Sequence, residues 1–308
     1  MSAVSLATTL AGVRLERPFV LASGILGVSA SSMAYAVDRG AGAVTTKSVA
    51  WDPRKGHANP VVAPFEHGLL NAVGLSGPGA SFMAREIAAF RARCDAPIIA
   101  SVFGASPEEF ARVTAELAKA APHMIEVNVS CPNVSSEFGV PFSADPVATA
   151  EITRAAVEAA GGIPVATKLS FHCPSLAVMA RACEQAGASA LTAINTIGPG
   201  IVIEPGFRKP VLTNTIGGVS GPAILPLAVR AVWEIRGACT LPIIGTGGVE
   251  TLDGALQVLM AGASAVGVGT GLWRQGAGLL DELNRALEAW LEHEGCTSIT
   301  EIIGVARA

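Results

Sequence analysis

Eight short apolar segments are spaced along the chain and separated by stretches with helical spacing. They lie at residues 19–22, 40–47, 97–102, 124–128, 164–169, 186–195, 242–247 and 261–270. Three of them begin with Pro, which is tolerated at the first residue of a strand because that residue need not donate to the ladder. Continuous apolar runs of this length are typical of the buried strands of a parallel sheet.

The helical stretches are clearest near the carboxyl end of the chain. Over residues 279–293, four Leu residues and Trp290 fall on one face and Gly295 follows, which predicts a helix. A strand followed by a helix, repeated eight times, predicts an α/β fold of the (β/α)8 TIM-barrel type. Because such barrels occupy chains of this length as one unit, we take residues 1–308 as a single domain.

Three further segments add to the predicted barrel. Residues 6–21 are expected to form a β-hairpin that turns at Ala11 and Gly12 and lies on the barrel floor. Two connections, residues 130–145 and 196–222, are too long for ordinary strand-to-helix loops. Loops of that length in a compact domain tend to be functional, so we expect long active-site loops there.

Charge and composition exclude several classes of partner. Half of the residues are hydrophobic, 15% are charged and the net charge is −4, with no run of Lys and Arg, which argues against a nucleic-acid partner. The charge-free residues 210–229 contain three Pro and three Gly, so they predict no membrane helix. The first ten residues lack a basic start and a secretory apolar core, so a cytoplasmic location is expected.

The cysteines are widely scattered. They stand at Cys94, Cys131, Cys173, Cys183, Cys239 and Cys296. Because no C-x-x-C pair and no His at ligand spacing accompanies them, we expect no disulfide, zinc or iron–sulfur site within this chain. Five of the six are expected to be inert thiols.

Polar residues follow the predicted strands where each one ends. In a TIM barrel the active site is built at these carboxyl ends. The residues concerned are Ser23, Lys47, Asn128, Lys168, Asn195 and Thr196. Two Lys and two Asn, with hardly a carboxylate beside them, indicate an anionic ligand rich in hydrogen-bonding groups. A single Lys or Asn at such a place more often caps a loop.

Glycines end the last two strand-to-helix units. Gly247-Gly248 and Gly269-Thr270 follow the seventh and eighth strands, whose loops bind phosphate through backbone N–H groups in many barrels. Ser220-Gly221 could donate a further N–H group. Tight turns also use Gly-Gly pairs, so the motif alone leaves both interpretations open.

The segment Ile-Glu-Val-Asn-Val-Ser-Cys-Pro-Asn, residues 125–133, is the most specific in the chain. Alternation puts Asn128 and Ser130 on the same side, and Pro132 turns the chain outward. Cys131 is then left at the base of a long loop, where a thiol can be mobile and reactive. The ordinary role of a free Cys is that of a small buried hydrophobic residue.

Asn-x-Ser-Cys-Pro-Asn closely resembles the signature of class 1 dihydroorotate dehydrogenases, and the resemblance extends over nearly the whole chain. Further motifs of that family occur in its order at residues 22–24 (Ala-Ser-Gly), 46–48 (Thr-Lys-Ser), 71–75 (Asn-x-x-Gly-Leu), 168–170 (Lys-Leu-Ser), 195–196 (Asn-Thr), 217–222 (Gly-Gly-x-Ser-Gly-Pro), 245–249 (Gly-x-Gly-Gly-Val) and 268–270 (Val-Gly-Thr). The resemblance implies oxidation of dihydroorotate to orotate in pyrimidine biosynthesis, with FMN as cofactor.

The resemblance also implies a role for each matching residue. The orotate ring and carboxylate would be held by Lys47, Asn71, Asn128, Asn133, Asn195 and Thr196. FMN would be contacted by Ala22, Ser23, Lys47, Ser48, Asn128, Lys168, Ser220, Gly221, Gly247, Gly248, Gly269 and Thr270. Cys131 matches the base that removes a proton alpha to a carbonyl while the flavin accepts a hydride. Lys168 would stabilise the anionic reduced flavin.

Within the family the sequence is more similar to the class 1B branch, on the motifs at residues 208–212, 218–224 and 298–304. That branch works with a second subunit that carries FAD and a [2Fe–2S] cluster and passes electrons to NAD. Such a subunit and a homodimer are therefore the expected protein partners. No metal within this chain is expected.

The sequence departs from the family pattern at three places on the active-site face. Gly198-Pro-Gly200 replaces Lys-Gly-Met, residues 171–174 (Phe-His-Cys-Pro) stand where Pro-Asn is usual, and Ile25-Leu26 replaces Thr-Phe. His172 and Cys173 could be an additional acid/base or redox pair, or a packed pair in a loop.

Three other functions are compatible with parts of the pattern. A dihydropyrimidine dehydrogenase acting on dihydrouracil or dihydrothymine would use similar chemistry, but its residue matching Asn133 is usually His. A flavin-binding subunit without turnover is disfavoured by the presence of Cys131 and Lys47. A non-redox barrel enzyme that binds a phosphorylated metabolite is the third alternative, and it would be colourless.

Overall fold

The computed structural model describes residues 4–129 and 142–307. In this part of the chain the strands are β1 (Thr8–Leu10), β2 (Val13–Leu15), β3 (Phe19–Leu21), β4 (Ala43–Thr45), β5 (Val62–Phe65), β6 (Gly68–Asn71), β7 (Ile98–Val102), β8 (Met124–Asn128), β9 (Val165–Leu169), β10 (Ala190–Ala193), β11 (Ile197–Gly200), β12 (Ile203–Glu204), β13 (Lys209–Pro210), β14 (Gly217–Ser220), β15 (Ile243–Thr246) and β16 (Ala265–Val268). The α-helices are α1 (Ala30–Asp38), α2 (Ala80–Arg91), α3 (Pro107–Ala118), α4 (Pro146–Ala159), α5 (Leu176–Gln185), α6 (Leu225–Arg236), α7 (Leu252–Met260), α8 (Thr270–Gln275) and α9 (Leu279–His293). None of these helices is long and apolar enough to cross a membrane.

Eight parallel strands close into a barrel. Strands that are neighbours in the barrel also follow one another along the chain. Their order is β3-β4-β7-β8-β9-β10-β15-β16, and β16 pairs with β3. At least one helix follows each of these strands. The predicted (β/α)8 barrel is thus confirmed, and the helix predicted over residues 279–293 is observed with those bounds as α9.

The helix starts follow from local sequence. At α3, for example, the Ser106 side chain accepts a hydrogen bond from the Glu109 backbone N–H, Pro107 occupies the first turn, and Glu108 adds negative charge there. Each of these features stabilises a helix amino terminus. The main apolar core, between the helices and the barrel, includes Phe110, Val113 and Leu117 of α3.

Side chains inside the barrel form two layers of opposite character. The lower layer is apolar and consists of Val20, Ala43, Ile99, Met124, Ala166, Ala190, Ile244 and Ala265. Two residues further along four of these strands, and therefore on the same side, come the buried polar residues Ser101, Glu126, Lys168 and Thr192. The barrel interior is therefore apolar at the floor and polar towards the carboxyl ends of the strands.

A β-hairpin packs on the apolar floor. Strands β1 and β2 pair antiparallel, and the turn residues Ala11 and Gly12 have φ angles of 49° and 83°, as the tight turn of a two-residue hairpin requires. Leu10 and Leu15 are buried against the lower layer of the barrel. The predicted floor hairpin is confirmed, but it ends at Leu15 rather than at residue 21, because residues 19–21 form the first barrel strand.

A second sheet lies beside the opposite, carboxyl-terminal mouth. It is antiparallel, with the order β11-β14-β6-β5, and it draws strands from two distant parts of the chain. The long connection at residues 196–222 supplies β11 and β14 and also the small β12–β13 hairpin. This connection therefore contains four short strands and is not an irregular loop throughout. Residues 130–141, most of the other long connection, lie outside the described residues.

Candidate active site

A cavity of about 240 Å³ opens at the carboxyl ends of the barrel strands. Its walls come from the barrel and from the antiparallel sheet, with Leu69 and Asn71 on β6 facing residues that follow the barrel strands. Among the described residues that line it, the charged ones are Lys47 and Lys168. The cavity therefore offers two cations and no carboxylate on its described surface.

The cavity collects every described residue that the sequence predicted for the site. These are Ala22, Ser23, Lys47, Ser48, Asn71, Asn128, Lys168, Asn195, Thr196, Ser220, Gly221, Gly247, Gly248, Gly269 and Thr270. The two remaining candidates, Cys131 and Asn133, lie outside the described residues. The structure thus brings these side chains together, although it does not assign a ligand to any of them.

Hydroxyl and amide groups form a hydrogen-bonded cluster on one wall. Ser48 Oγ lies 3.2 Å from Ser23 Oγ and 2.8 Å from Ser101 Oγ, and it accepts a hydrogen bond of 3.1 Å from Asn128 Nδ2. The Ser48 backbone N–H also donates to Ser23 Oγ. Ser48, Ser101 and Asn128 are buried, so these contacts hold the wall in one arrangement.

A carboxylate lies just beneath that wall. Glu126 is 2% exposed, and its two oxygens accept hydrogen bonds from Ser101 Oγ at 2.9 Å and from Thr192 Oγ1 at 3.0 Å. Lys168 Nζ is 4.0 Å from Glu126 Oε1. Burying an isolated charge is costly, so the opposite charge of Lys168 and the two hydroxyl donors stabilise the carboxylate at this place.

Three short segments converge at another part of the cavity. Thr270 Oγ1 donates a 2.8 Å hydrogen bond to Ser220 Oγ. A Cβ atom added to Gly221 would lie 3.2 Å from Thr270 Cγ2, and one added to Gly248 would lie 2.9 Å from the Gly221 carbonyl oxygen. The ends of β14, β15 and β16 are therefore within van der Waals distance of one another.

The antiparallel sheet positions the polar groups on the remaining side. Asn71 Nδ2 donates to the Gly218 carbonyl at 3.3 Å, which ties β6 to β14. The Thr196 backbone N–H donates to Asn195 Oδ1 at 2.9 Å. Asn195 and Thr196 follow β10, so barrel and sheet meet at this side of the cavity.

Glycines in the cavity wall serve two different purposes. A Cβ atom on Gly24 would meet nothing within 4 Å, and one on Gly269 would only touch Ala22 at 3.5 Å, so their lack of a side chain leaves space. The φ of +106° at Gly24 also favours Gly there. A Cβ atom on Gly248, by contrast, would lie 2.8 Å from Leu225 atoms, and its φ is +79°. Packing and backbone conformation therefore already require Gly at position 248, whether or not a ligand binds there.

Sequence reasoning missed several residues of the site. Glu126 and Ser101 were not singled out, since their partners come from other strands. Thr246 Oγ1 is buried without a hydrogen-bond partner among the described residues, at the end of a strand that lines the cavity. Trp273, 49% exposed, lies at the rim. The strand-end position of Thr246 was a signal that could have found it.

The loop pair His172 and Cys173 is explained by packing. His172 Nε2 accepts a 2.8 Å hydrogen bond from the Gly198 backbone N–H, which joins two segments that depart from the family pattern. Burial raises the pKa of the Cys173 thiol. Neither residue lines the cavity.

Burial likewise governs two other cysteines. It raises the pKa of the Cys183 thiol to about 12 and also raises the pKa of Cys239. Both thiols are therefore protonated and poorly reactive at neutral pH. Among the described residues, no cluster of His, Cys, Asp and Glu could hold a metal ion.

Comparison with known proteins identifies the family. The family model described as dihydroorotate dehydrogenase matches residues 5–291. A protein of Methanothermobacter thermautotrophicus named dihydroorotate dehydrogenase B (NAD(+)), catalytic subunit, is 40% identical over 98% of both chains. A protein of the same name from Methanosarcina mazei is 39% identical over 97% of this chain and 94% of its own. One from Thermococcus kodakarensis is 37% identical over 99% of both chains. The chain belongs to the dihydroorotate dehydrogenase family.

Proposed function

We propose that this chain oxidises (S)-dihydroorotate to orotate in pyrimidine biosynthesis, with FMN as its cofactor. The observation that carries the proposal is the convergence of the family's motif residues, from seven of the eight barrel strand ends and from β6 and β14, on one cavity. The relatives named above are dihydroorotate dehydrogenases, so the alternative of a dihydropyrimidine dehydrogenase is not favoured.

The residues present fit a flavin. Gly24 and Gly269 leave space that side chains would fill, and the hydroxyl residues Ser23 and Thr270 line the same cavity. Apolar side chains such as Ile194 and Val249 line the same cavity. A flat ring system with polar edges requires this combination of apolar surface and a few hydrogen-bonding groups.

The phosphate of FMN would lie where β14, β15 and β16 end. Ser220 and Thr270 supply hydroxyl groups there, and Gly221, Gly248 and Gly269, which have no side chains of their own, supply backbone N–H groups. Groups of this kind bind phosphate in many barrels. Ala22, Ser23, Ser48 and Gly247 complete the proposed cofactor contacts.

The substrate is proposed to bind among Lys47, Asn71, Asn128, Asn195 and Thr196, with Asn133 as a further contact. Lys47 supplies positive charge for the carboxylate, and the amides supply donors and acceptors for the ring. Dihydroorotate then loses a proton from the carbon next to a carbonyl, and Cys131 is the proposed base. Bound FMN supplies the acceptor for the hydride from the adjacent carbon.

Lys168 has a separate proposed role beside the cofactor. It is 5% exposed, lines the cavity and lies 4.0 Å from Glu126. A buried ammonium group at that place would stabilise negative charge on the reduced flavin. Lys47 and Asn128 are proposed to touch both ligands.

We also propose that a second subunit, carrying FAD and a [2Fe–2S] cluster, takes the electrons on to NAD. Support comes from the names of the relatives, which are NAD(+) enzymes and catalytic subunits. A homodimer of this chain is the proposed core of that assembly.

The decisive test is anaerobic reduction of the purified chain. We expect a yellow protein whose released flavin is FMN. Dihydroorotate should bleach its visible absorbance, and dihydrouracil should not. A colourless protein, or bleaching by dihydrouracil alone, would contradict the proposal.

A further inference from the structure

A chain of hydroxyl groups joins buried Glu126 to the cavity wall. Ser101 Oγ contacts Glu126 Oε1 at 2.9 Å, Ser48 Oγ lies 2.8 Å from Ser101 Oγ, and Ser23 Oγ lies 3.2 Å from Ser48 Oγ. Asn128 Nδ2 donates to Ser48 Oγ from the side. Ser101 and Glu126 lie below the cavity, whereas the other three residues line it.

The charge of Glu126 fixes the direction of every bond in this chain. An ionised carboxylate only accepts, so Ser101 must give it its one hydroxyl proton. Ser48 must then donate to Ser101, which leaves the oxygen of Ser48 to accept from Asn128 and from Ser23. Each hydroxyl donates once, and the three contacts of Ser48 Oγ use its full capacity. No other assignment satisfies all the contacts.

We propose that Glu126 is a positioning residue that sets the polarity of the cavity wall through Ser101 and Ser48. In this arrangement the proton of Ser23 is committed to Ser48, so Ser23 presents only a lone pair to a ligand. The wall at Ser23 is then specific for a ligand N–H or O–H group. This inference rests on the proposed function, in which Ser23 contacts FMN.

The same carboxylate also restrains Lys168. The 4.0 Å separation of Lys168 Nζ and Glu126 Oε1 keeps the ammonium group at the inner end of the cavity. The second oxygen of Glu126 is occupied by Thr192. Thr192 does not line the cavity, so it provides a matched control for a bond to Glu126 that leads away from the ligand.

Double-mutant cycles on FMN affinity test the inference, with FMN titrated into the apoprotein. Glu126→Gln replaces the carboxylate by an amide that can also donate, so the chain loses its fixed direction. Combined with Ser23→Ala, it should give a loss of affinity that is smaller than the product of the single losses by roughly fivefold or more. In a Ser101→Ala background the two losses should multiply within about twofold.

The Thr192→Val variant should combine multiplicatively with Ser23→Ala, because it leaves the chain to the cavity intact. Should Glu126→Gln fail to fold, the cycle of Ser101→Ala with Ser23→Ala should still be non-multiplicative, since Ser101 is the link itself. Melting temperatures measured alongside separate these effects from lost stability.

Multiplicative losses for Glu126→Gln with Ser23→Ala, or coupling that persists without Ser101, would overturn the inference while leaving the proposed function in place. A wild-type chain that binds no FMN would overturn both. Coupling of Glu126→Gln with Ser23→Ala that requires Ser101, together with multiplicative losses for Thr192→Val and Ser23→Ala, would support the inference.

Discussion

At the scale of single residues, Lys47 and Lys168 share a cavity but have different surroundings. Lys168 is buried beside Glu126, so its charge is balanced from beneath. Lys47 is half-buried and follows β4. Both lysines line the cavity, and the family resemblance assigns Lys47 to the substrate, so we expect Lys47 to carry the electrostatic recognition of an anionic substrate.

Replacing Lys47 by Ala should weaken orotate binding by roughly one to two orders of magnitude, the worth of one charge-assisted hydrogen bond. The change can be measured as the orotate concentration that half-saturates the shift of the flavin spectrum. Lys55→Ala, at an exposed lysine outside the cavity, is the matched control and should bind orotate as the wild type does. Undiminished binding by Lys47→Ala would point to a ligand without a carboxylate.

Cys131→Ala should lower the rate of flavin reduction by dihydroorotate by roughly 10² to 10⁴, the usual worth of a positioned general base. The flavin spectrum and orotate affinity should remain nearly intact. An ordinary thiol has a pKa of about 8.5, so the wild-type rate should rise with pH along one ionisation. Anaerobic stopped-flow absorbance measures both effects.

The control for this experiment is Cys94→Ala, which removes a free thiol that does not line the cavity and should keep the wild-type rate. If Cys131→Ala also reacted at the wild-type rate, another base would be required. His172 is a poor substitute for that role, because its Nε2 atom accepts from the Gly198 backbone and the residue does not line the cavity.

The residues at strand ends could be predicted from the sequence, whereas the buried residues that hold them in place could not. Lys168 and Asn195 were identified because an apolar segment stops at each of them. Glu126 also follows from alternation as an inward residue of β8. Its importance depends on Ser101 and Thr192, however, which reach it from β7 and β10. Such contacts between strands leave no spacing in a single sequence.

At the scale of elements, the barrel was predictable and the sheet at its mouth was not. Barrel strands are continuous apolar runs, but β11 and β14 consist of Ile-Gly-Pro-Gly and Gly-Gly-Val-Ser, which favour a loop by composition. Strand β14 pairs with β6, about 150 residues away in the chain. Pairing over that distance gives these Gly-rich segments their extended structure.

The proposed phosphate site, beside Ser220 and Thr270, can be tested directly. Gly248→Val cannot test it cleanly, because the new side chain would collide with Leu225 before it reached a ligand. Thr270→Val keeps the shape and removes only the hydroxyl group. On FMN binding the Thr270 hydroxyl is expected to exchange its bond to Ser220 Oγ for one to the phosphate. Loss of that hydrogen bond to a charged group should raise the FMN dissociation constant by roughly tenfold.

Titration of the apoprotein with FMN measures this change, and riboflavin serves as a probe without phosphate. Thr270→Val should affect FMN affinity and leave riboflavin affinity nearly unchanged. Thr9→Val, on the exposed side of the floor hairpin, is the control for a hydroxyl deleted far from the cavity. An equal loss for both flavins would place the phosphate elsewhere.

At the scale of the whole molecule, the two ends of the barrel are specialised. The floor is closed by Leu10 and Leu15 on an apolar layer, whereas the mouth carries the polar cavity and the second sheet. A ligand therefore enters and leaves on one side. The proposed flavin site lies at this mouth, so electrons taken from the substrate start from this end of the barrel.

The last prediction concerns where those electrons go. The six cysteines are scattered without a C-x-x-C pair, so we expect no iron–sulfur site within this chain that could relay electrons. We expect the isolated chain to reduce an artificial dye such as dichlorophenolindophenol with dihydroorotate, but to reduce NAD at least about tenfold more slowly, a barrier difference of about 1.4 kcal/mol. Dye and NAD assays on one preparation compare the two acceptors directly, and the dye assay controls for loss of flavin. Rapid NAD reduction by the chain alone, or efficient turnover with fumarate, would contradict a separate electron-transfer subunit.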